Sequence, residues 1–136
     1  MRVWLYARLS NDDDREMNSL LNQREISQAF AEQHGYIIVG QSFDDNISGM
    51  SFDRRGLDEL TAAVDADMID AVIVKDLSRL GRHRTQTALF IDYLREHQVR
   101  VISATEGVDT FRDEDDLIIG VRGLMNDYYA KDIGKK

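Results

Sequence analysis

The chain has 136 residues, 43% hydrophobic and 31% charged, which suits one compact domain with a core and a soluble, globular class. Its formal net charge of −8 excludes a broadly basic surface for coating nucleic acid, and the lack of cysteine excludes disulfides and thiolate metal sites. No apolar run approaches the ~20 residues of a membrane helix, and His34, His83 and His97 lack ligand spacing, so neither membrane, metal nor other cofactor is expected.

Val3 to Ser10 reads as a buried first strand, apolar and rich in β-branched and aromatic residues. It begins so early that no signal peptide is expected, and the expected location is cytoplasmic. Ser10 followed by Asp13 resembles a capping box before a helix starting near Asp12. Residues 18–33 carry apolar positions at Leu20, Leu21, Ile26, Ala29 and Phe30, an amphipathic helix ended by Gly35. Tyr36 to Phe43 is a second strand, and Asp44 to Asp53 a polar loop. A second helix opens at Arg54 or Arg55 and runs to about Asp65, burying Leu57, Leu60 and Val64. Ile69 to Val74 is a third strand, Lys75 to Gly81 a loop, and Thr85 to His97 a third helix. Val99 to Ser103 is a fourth strand, Thr105 to Asp116 a polar loop, and a last helix starts near Leu117. Strands alternating with helices predict an α/β fold, a three-layer sandwich with a mainly parallel central sheet.

In a parallel sheet the loops after the strands open on one edge, where ligands bind. Arg8 and Ser10, two residues apart, leave the first strand on the same face. The loop after strand two carries Asp45 and Ser48, then Arg54. The loop after strand three carries Lys75, Asp76, Ser78, Arg79 and Arg82. Four arginines and three serines are thus expected around one crevice. Guanidinium groups bond two phosphate oxygens at once, and a hydroxyl among them is what phosphoryl transfer needs. Each residue also has an ordinary reading: Ser10 a helix cap, Gln23 a surface residue, Lys75 a solvated strand end, Trp4 and Tyr6 core. Three loops all carrying arginine favour the functional reading.

Five stretches in order carry a resemblance. They are Tyr6-Ala7-Arg8-Leu9-Ser10, Ser19-Leu20-Leu21-Asn22-Gln23, Asp45-Asn46-Ile47-Ser48-Gly49, Asp53-Arg54-Arg55-Gly56-Leu57 and Leu77-Ser78-Arg79-Leu80-Gly81-Arg82. Together, over about residues 2 to 110, they resemble the serine recombinases of the resolvase/invertase family. The resemblance implies a resolvase-like catalytic domain spanning 1–136, its final helix truncated and its DNA-binding domains absent. It implies a metal-independent site-specific DNA recombinase that works through a covalent 5′-phosphoserine. By it, Ser10 is the nucleophile, Arg8, Arg79 and Arg82 hold the scissile phosphate, and Arg54, Ser48, Gln23 and Ser78 complete the substrate site. DNA is the implied partner, with a homodimer and homotetramer in the full-length protein. Ser78 stands where small resolvases usually carry aspartate, a mark of the large-recombinase or transposon-excision branch; it leaves the proton acceptor for Ser10 unassigned.

The final stretch also bears on assembly. Leu117, Val121, Leu124 and Tyr128 form a coiled-coil-like stripe, expected to drive self-association. Two other functions fit parts of the pattern. Asp12, Asp13, Asp76 and Thr105 resemble a magnesium-dependent response-regulator receiver, although three nearby arginines would repel the cation. A nucleotide- or sugar-phosphate-binding regulatory domain is weakened by the absence of a glycine-rich loop.

Overall fold

In the computed structural model, which describes residues 1–10, 19–46, 54–81 and 84–111, the first apolar run forms strand β1, Arg2–Ser10. Its side chains serve two cores in alternation: Val3 and Leu5 on one face of the sheet, Tyr6 on the other. β1 pairs in parallel with β2 (Ile37–Asn46) and with β3 (Ala71–Val74). β3 pairs in parallel with β4 (Arg100–Ser103), and β4 pairs antiparallel with a two-residue β5 (Val108–Asp109). The strand order is β2-β1-β3-β4-β5.

Helix α1 spans Leu20–Gln33, α2 spans Arg55–Asp65 and α3 spans Arg84–Glu96; a 3-10 turn, Leu77–Leu80, lies between β3 and α3. Leu60, Ala63 and Val64 of α2 and Ile91 and Leu94 of α3 pack on Tyr6, Val72, Val74 and Val101. On the opposite face Ala31 of α1 packs on Val3, Leu5, Ala71, Ile73 and Ile102. The expected three-layer arrangement with a mostly parallel sheet is therefore present. Among the described residues no helix is long and apolar enough to cross a membrane.

Three sequence expectations need correction. β2 does not stop at Phe43: β1 is long enough to pair with it as far as Ser10 opposite Asn46, which makes Asp44 and Asp45 strand residues. The polar loop after β4 contains β5, too short for periodicity to reveal. Side chains hold it there: the Thr110 hydroxyl accepts the Val101 N–H at 2.9 Å, and Arg100 pairs with Asp109 at 2.9 Å. Helix α1 turns a partly polar stripe inward: it buries Gln23, Ser27 and Ala31 at a spacing of four, with Phe30 packed beside them, while Leu21 is exposed. Ser19 caps α1 by accepting the Asn22 N–H, and Gly35, at φ +71°, makes the left-handed exit.

The capping pattern after Ser10 with Asp12 and Asp13, residues Ser48, Arg82 and His83, and the stripe from Leu117 lie outside the described residues.

Candidate active site

Ser10 ends β1, and Arg8 leaves the same strand face two residues earlier. The backbone of Arg8 is held from both sides of the sheet. Gln23, fully buried on α1, accepts the Arg8 N–H at 3.1 Å and donates its amide to the Arg8 carbonyl at 2.8 Å. The same carbonyl accepts Nη1 of Arg79 at 2.7 Å. Arg8 in turn donates Nη2 to the carbonyls of Ser78 (2.6 Å) and Gly81 (3.0 Å), fastening the 3-10 turn to β1.

Arg79 is only 5% exposed, and a buried guanidinium needs a counter-charge. Asp76 supplies it, 3.3 Å from Nε, and also accepts the Ser78 N–H and hydroxyl. The carboxylate that Ser78 lacks is thus delivered from two residues earlier, by the side chain that caps the turn. Ser78 is exposed, and its hydroxyl serves Asp76. Lys75, expected to be a solvated strand end, donates Nζ to Asn22 at 3.3 Å.

Arg54 sits at the N-cap of α2 with an exposed side chain, 3.9 Å from Asp58. Arg8, Arg54 and Arg79 share the wall of one cavity of about 270 Å³ between β1, α2, the 3-10 turn and α3. Asp44 completes its polar wall; Leu57, Leu80, Phe90 and Tyr93 supply apolar surface. Burial, aided by a 2.7 Å bond from its hydroxyl to Asp65, pushes the Tyr93 phenol up to about 12, so it is neutral at ordinary pH. Three guanidiniums in a small concave space suit a tetrahedral oxyanion. A larger groove of about 940 Å³, between α1, β2 and α2, is lined by Leu20, Leu21 and Phe43 and by none of these three arginines.

The predicted residues divide accordingly. The fold brings Arg8, Arg54 and Arg79 together. Ser10 lies just beyond the cavity wall on the strand that carries Arg8. Gln23 does not reach the cavity and acts on the backbone of Arg8, where the sequence expectation was a substrate contact. Ser78 also stands outside the wall. Asp45, grouped with the cluster from sequence, pairs with Leu9 and leaves β2 on the face opposite Asp44. Two residues were given no such part: Asp76 as the partner of Arg79, and Asp44. For Asp76 the available signal was Asp76-Leu77-Ser78, a pattern in which aspartate accepts the N–H two residues on. For Asp44 it was the Arg54-Arg55-Gly56 helix start, which has no capping side chain of its own.

Comparison with known proteins identifies the family and the fold. The family described as "Resolvase, N terminal domain" matches residues 3–136. The transposon Tn3 resolvase of Escherichia coli is 29% identical over 122 residues, covering 89% of this chain and 60% of the relative; the chain thus spans about 60% of the length of that curated relative. A crystal structure of a resolvase family site-specific recombinase from Streptococcus pneumoniae superposes with a TM-score of 0.79 at 27% identity, covering 98% of this chain and 90% of the other. The N-terminal catalytic domain of TP901-1 integrase shares the fold, with a TM-score of 0.77 at 22% identity over 96% of this chain and 98% of that one.

Proposed function

This chain belongs to the resolvase family, whose N-terminal domain it matches along almost its whole length, and on that footing we propose that it is the catalytic domain of a serine site-specific DNA recombinase. In this reading the Ser10 hydroxyl attacks a backbone phosphorus. An Oγ–P bond forms, the bond from phosphorus to the 3′ oxygen breaks, and the serine proton is balanced by one taken up at that oxygen. The product is a 5′-phosphoserine and a free 3′ hydroxyl, and reversal onto a new 3′ end rejoins the strand. Arg8 and Arg79, with Arg82, stabilise charge on the equatorial oxygens. Arg54 reaches the phosphate from the head of α2, and the family resemblance adds Ser48 to the substrate site.

The observation that carries the reading is the convergence of Arg8, Arg54 and Arg79 on one cavity beside the strand end that presents Ser10. The test incubates the full recombinase with a nicked recombination site and looks for DNA attached to Ser10 by mass spectrometry. An adduct is expected in the wild type, in excess EDTA as in its absence, because guanidiniums supply the charge that a metal supplies elsewhere. Ser10→Ala should bind DNA and give none; an adduct in that variant would falsify the assignment.

Ser78 before Arg79 fits the large-recombinase or transposon-excision branch. Strand exchange between two duplexes calls for four active sites, so the working assembly is a tetramer built from two dimers, acting on DNA in the cytoplasm. The stripe Leu117, Val121, Leu124 and Tyr128 is the proposed contact. Sedimentation at rising concentration should show self-association that Leu124→Asp with Tyr128→Asp removes; a wild type that stays monomeric throughout overturns it. No observation favours the receiver reading, and Asp76, its acidic residue after β3, is engaged by Arg79.

A further inference from the structure

The head of α2 is an electrostatic anomaly. A helix N-terminus carries partial positive charge and favours aspartate or serine there, yet this one begins with Arg54 and Arg55 and has no capping side chain of its own. The missing acceptor comes from β2. Asp44, 1% exposed, accepts the N–H of Gly56 at 2.6 Å and that of Leu57 at 2.9 Å. It also accepts the hydroxyl of Tyr6 at 2.6 Å, and Tyr6 precedes Arg8 by two residues on the same face of β1. A second latch runs beside it: Ser42 donates to the Gly56 carbonyl at 2.7 Å and accepts Nε1 of Trp4 at 2.9 Å. The two elements are so close at this point that a Cβ on Gly56 would overlap the Phe43 carbonyl.

We propose that Asp44 is a positioning residue of the strand-transfer site: by capping α2 from β2 it fixes Arg54 over the cavity at a set distance from Arg8. The inference rests on the recombinase reading above. A bare carboxylate in a phosphate cavity would repel the substrate. With three donors directed at it, Asp44 acts as the anchor of the wall and not as a competing anion. Its position explains how a helix headed by two arginines can present one of them to the site, since the cap offsets the unfavourable charge next to the dipole. Tyr6 joins the same anchor to β1, so one carboxylate links the strand that carries Arg8 to the helix amides next to Arg54.

The test compares wild type, Asp44→Asn, Arg54→Ala and the double variant in the full recombinase, measuring the rate of Ser10–DNA adduct formation below each melting temperature. Asn keeps one acceptor and places an N–H₂ against the remaining donors. Asp44→Asn should slow the adduct roughly ten- to a hundredfold, the scale on which small misplacements act. It should also speed amide exchange at Gly56 and Leu57. Arg54→Ala should then add little in the Asp44→Asn background, because both changes remove the same contribution. Fully additive losses, or a variant that melts earlier yet cleaves at the wild-type rate, overturn the proposal. If Asp44→Asn does not fold, Asp44→Ser, which retains a short acceptor for the helix amides, takes its place with the same expected outcomes. A wild type that forms no adduct overturns the recombinase reading alone. The positioning of Arg54 is then read from inorganic phosphate: its shift of the Arg54 Nε–H signal should be lost in Asp44→Asn, and an unchanged shift sinks the proposal.

Discussion

The two faces of the sheet are built on opposite plans. Under α2 and α3 the contact is apolar: Leu60, Val64, Ile91 and Leu94 meet Val72, Val74 and Val101. Under α1 the apolar contact is confined to one end, Ala31 and Phe30 against Val3, Leu5 and Ile73, and the buried stripe runs on through Ser27 to Gln23, whose amide pairs with both backbone groups of Arg8. One face gains stability by removing hydrocarbon from water. The other also commits a buried position to a strand residue: β1 pairs with β3 only as far as Leu5 opposite Ile73, and beyond that point the Gln23 amide takes up the N–H and carbonyl of Arg8. The comparison teaches that burial here has two uses, and that the polar one lies directly behind the arginine site.

The largest effects should separate the two plans. Leu60→Ala removes a fully buried side chain from the apolar face and should cost about 2–5 kcal/mol of stability. Denaturant titration reads that loss, and the adduct rate of the folded fraction should stay near wild type. A large drop in that rate would mean the apolar face also sets the site. Arg79→Lys should do the reverse. It keeps the charge and loses the fork that joins Asp76 to the Arg8 carbonyl, and should cost about 2–4 kcal/mol of transition-state stabilisation. An unchanged cleavage rate in Arg79→Lys would place that arginine among structural residues.

How far the sequence disclosed this division depends on the residue. The two-sided strands announced themselves, because Val3 to Ala7 and Ala71 to Val74 are continuous apolar runs that only a covered parallel sheet can use. α2 was legible through Leu57, Leu60 and Val64. α1 misled, because hydrophobic periodicity assumes that apolar residues face inward, and here close approach to β1 selected Gln23 and Ser27 over Leu20 and Leu21. The site's arginines were legible through chain order, since loops after parallel strands share one edge. The acids that organise them were not. Whether Asp44 or Asp45 faces the cavity depends on how far β2 continues, and that is decided by pairing with β1, a long-range contact that no local pattern encodes.

Gln23 sharpens the comparison on the polar face. Gln23→Leu fills similar space but leaves the Arg8 N–H without its amide partner, at an expected cost of about 1–3 kcal/mol. That is no more than the loss in Leu60→Ala, yet it should come with a slower adduct rate in molecules that remain folded. The informative quantity is the ratio of lost rate to lost stability. Equal ratios in Gln23→Leu and Leu60→Ala would erase the functional distinction between the faces.

The smallest effect tests the one ionisable side chain in the apolar wall whose titration the fold displaces. Tyr93 lies at the seam of α2 and α3, and its phenol is raised to about 12, chiefly by burial and then by its bond to Asp65. An unfolded tyrosine titrates near 10. Between those values the folded chain holds a proton that the unfolded chain has released. The contribution of Tyr93 is therefore fully present below about pH 10 and is lost as pH rises from about 10 through 12. Tyr93→Phe keeps the ring against Phe90 and removes the titration. At pH 8 the variant should be destabilised by about 1 kcal/mol or less, the net worth of a partly exposed hydrogen bond. On going to pH 11 the wild type should lose more stability than the variant, and the two curves should converge. Other groups titrate in the same window, so the difference between the two proteins, taken from urea midpoints at both pH values, is the quantity to follow. A difference that stays constant from pH 8 to 11 would show that the phenol titrates as it does in the unfolded chain.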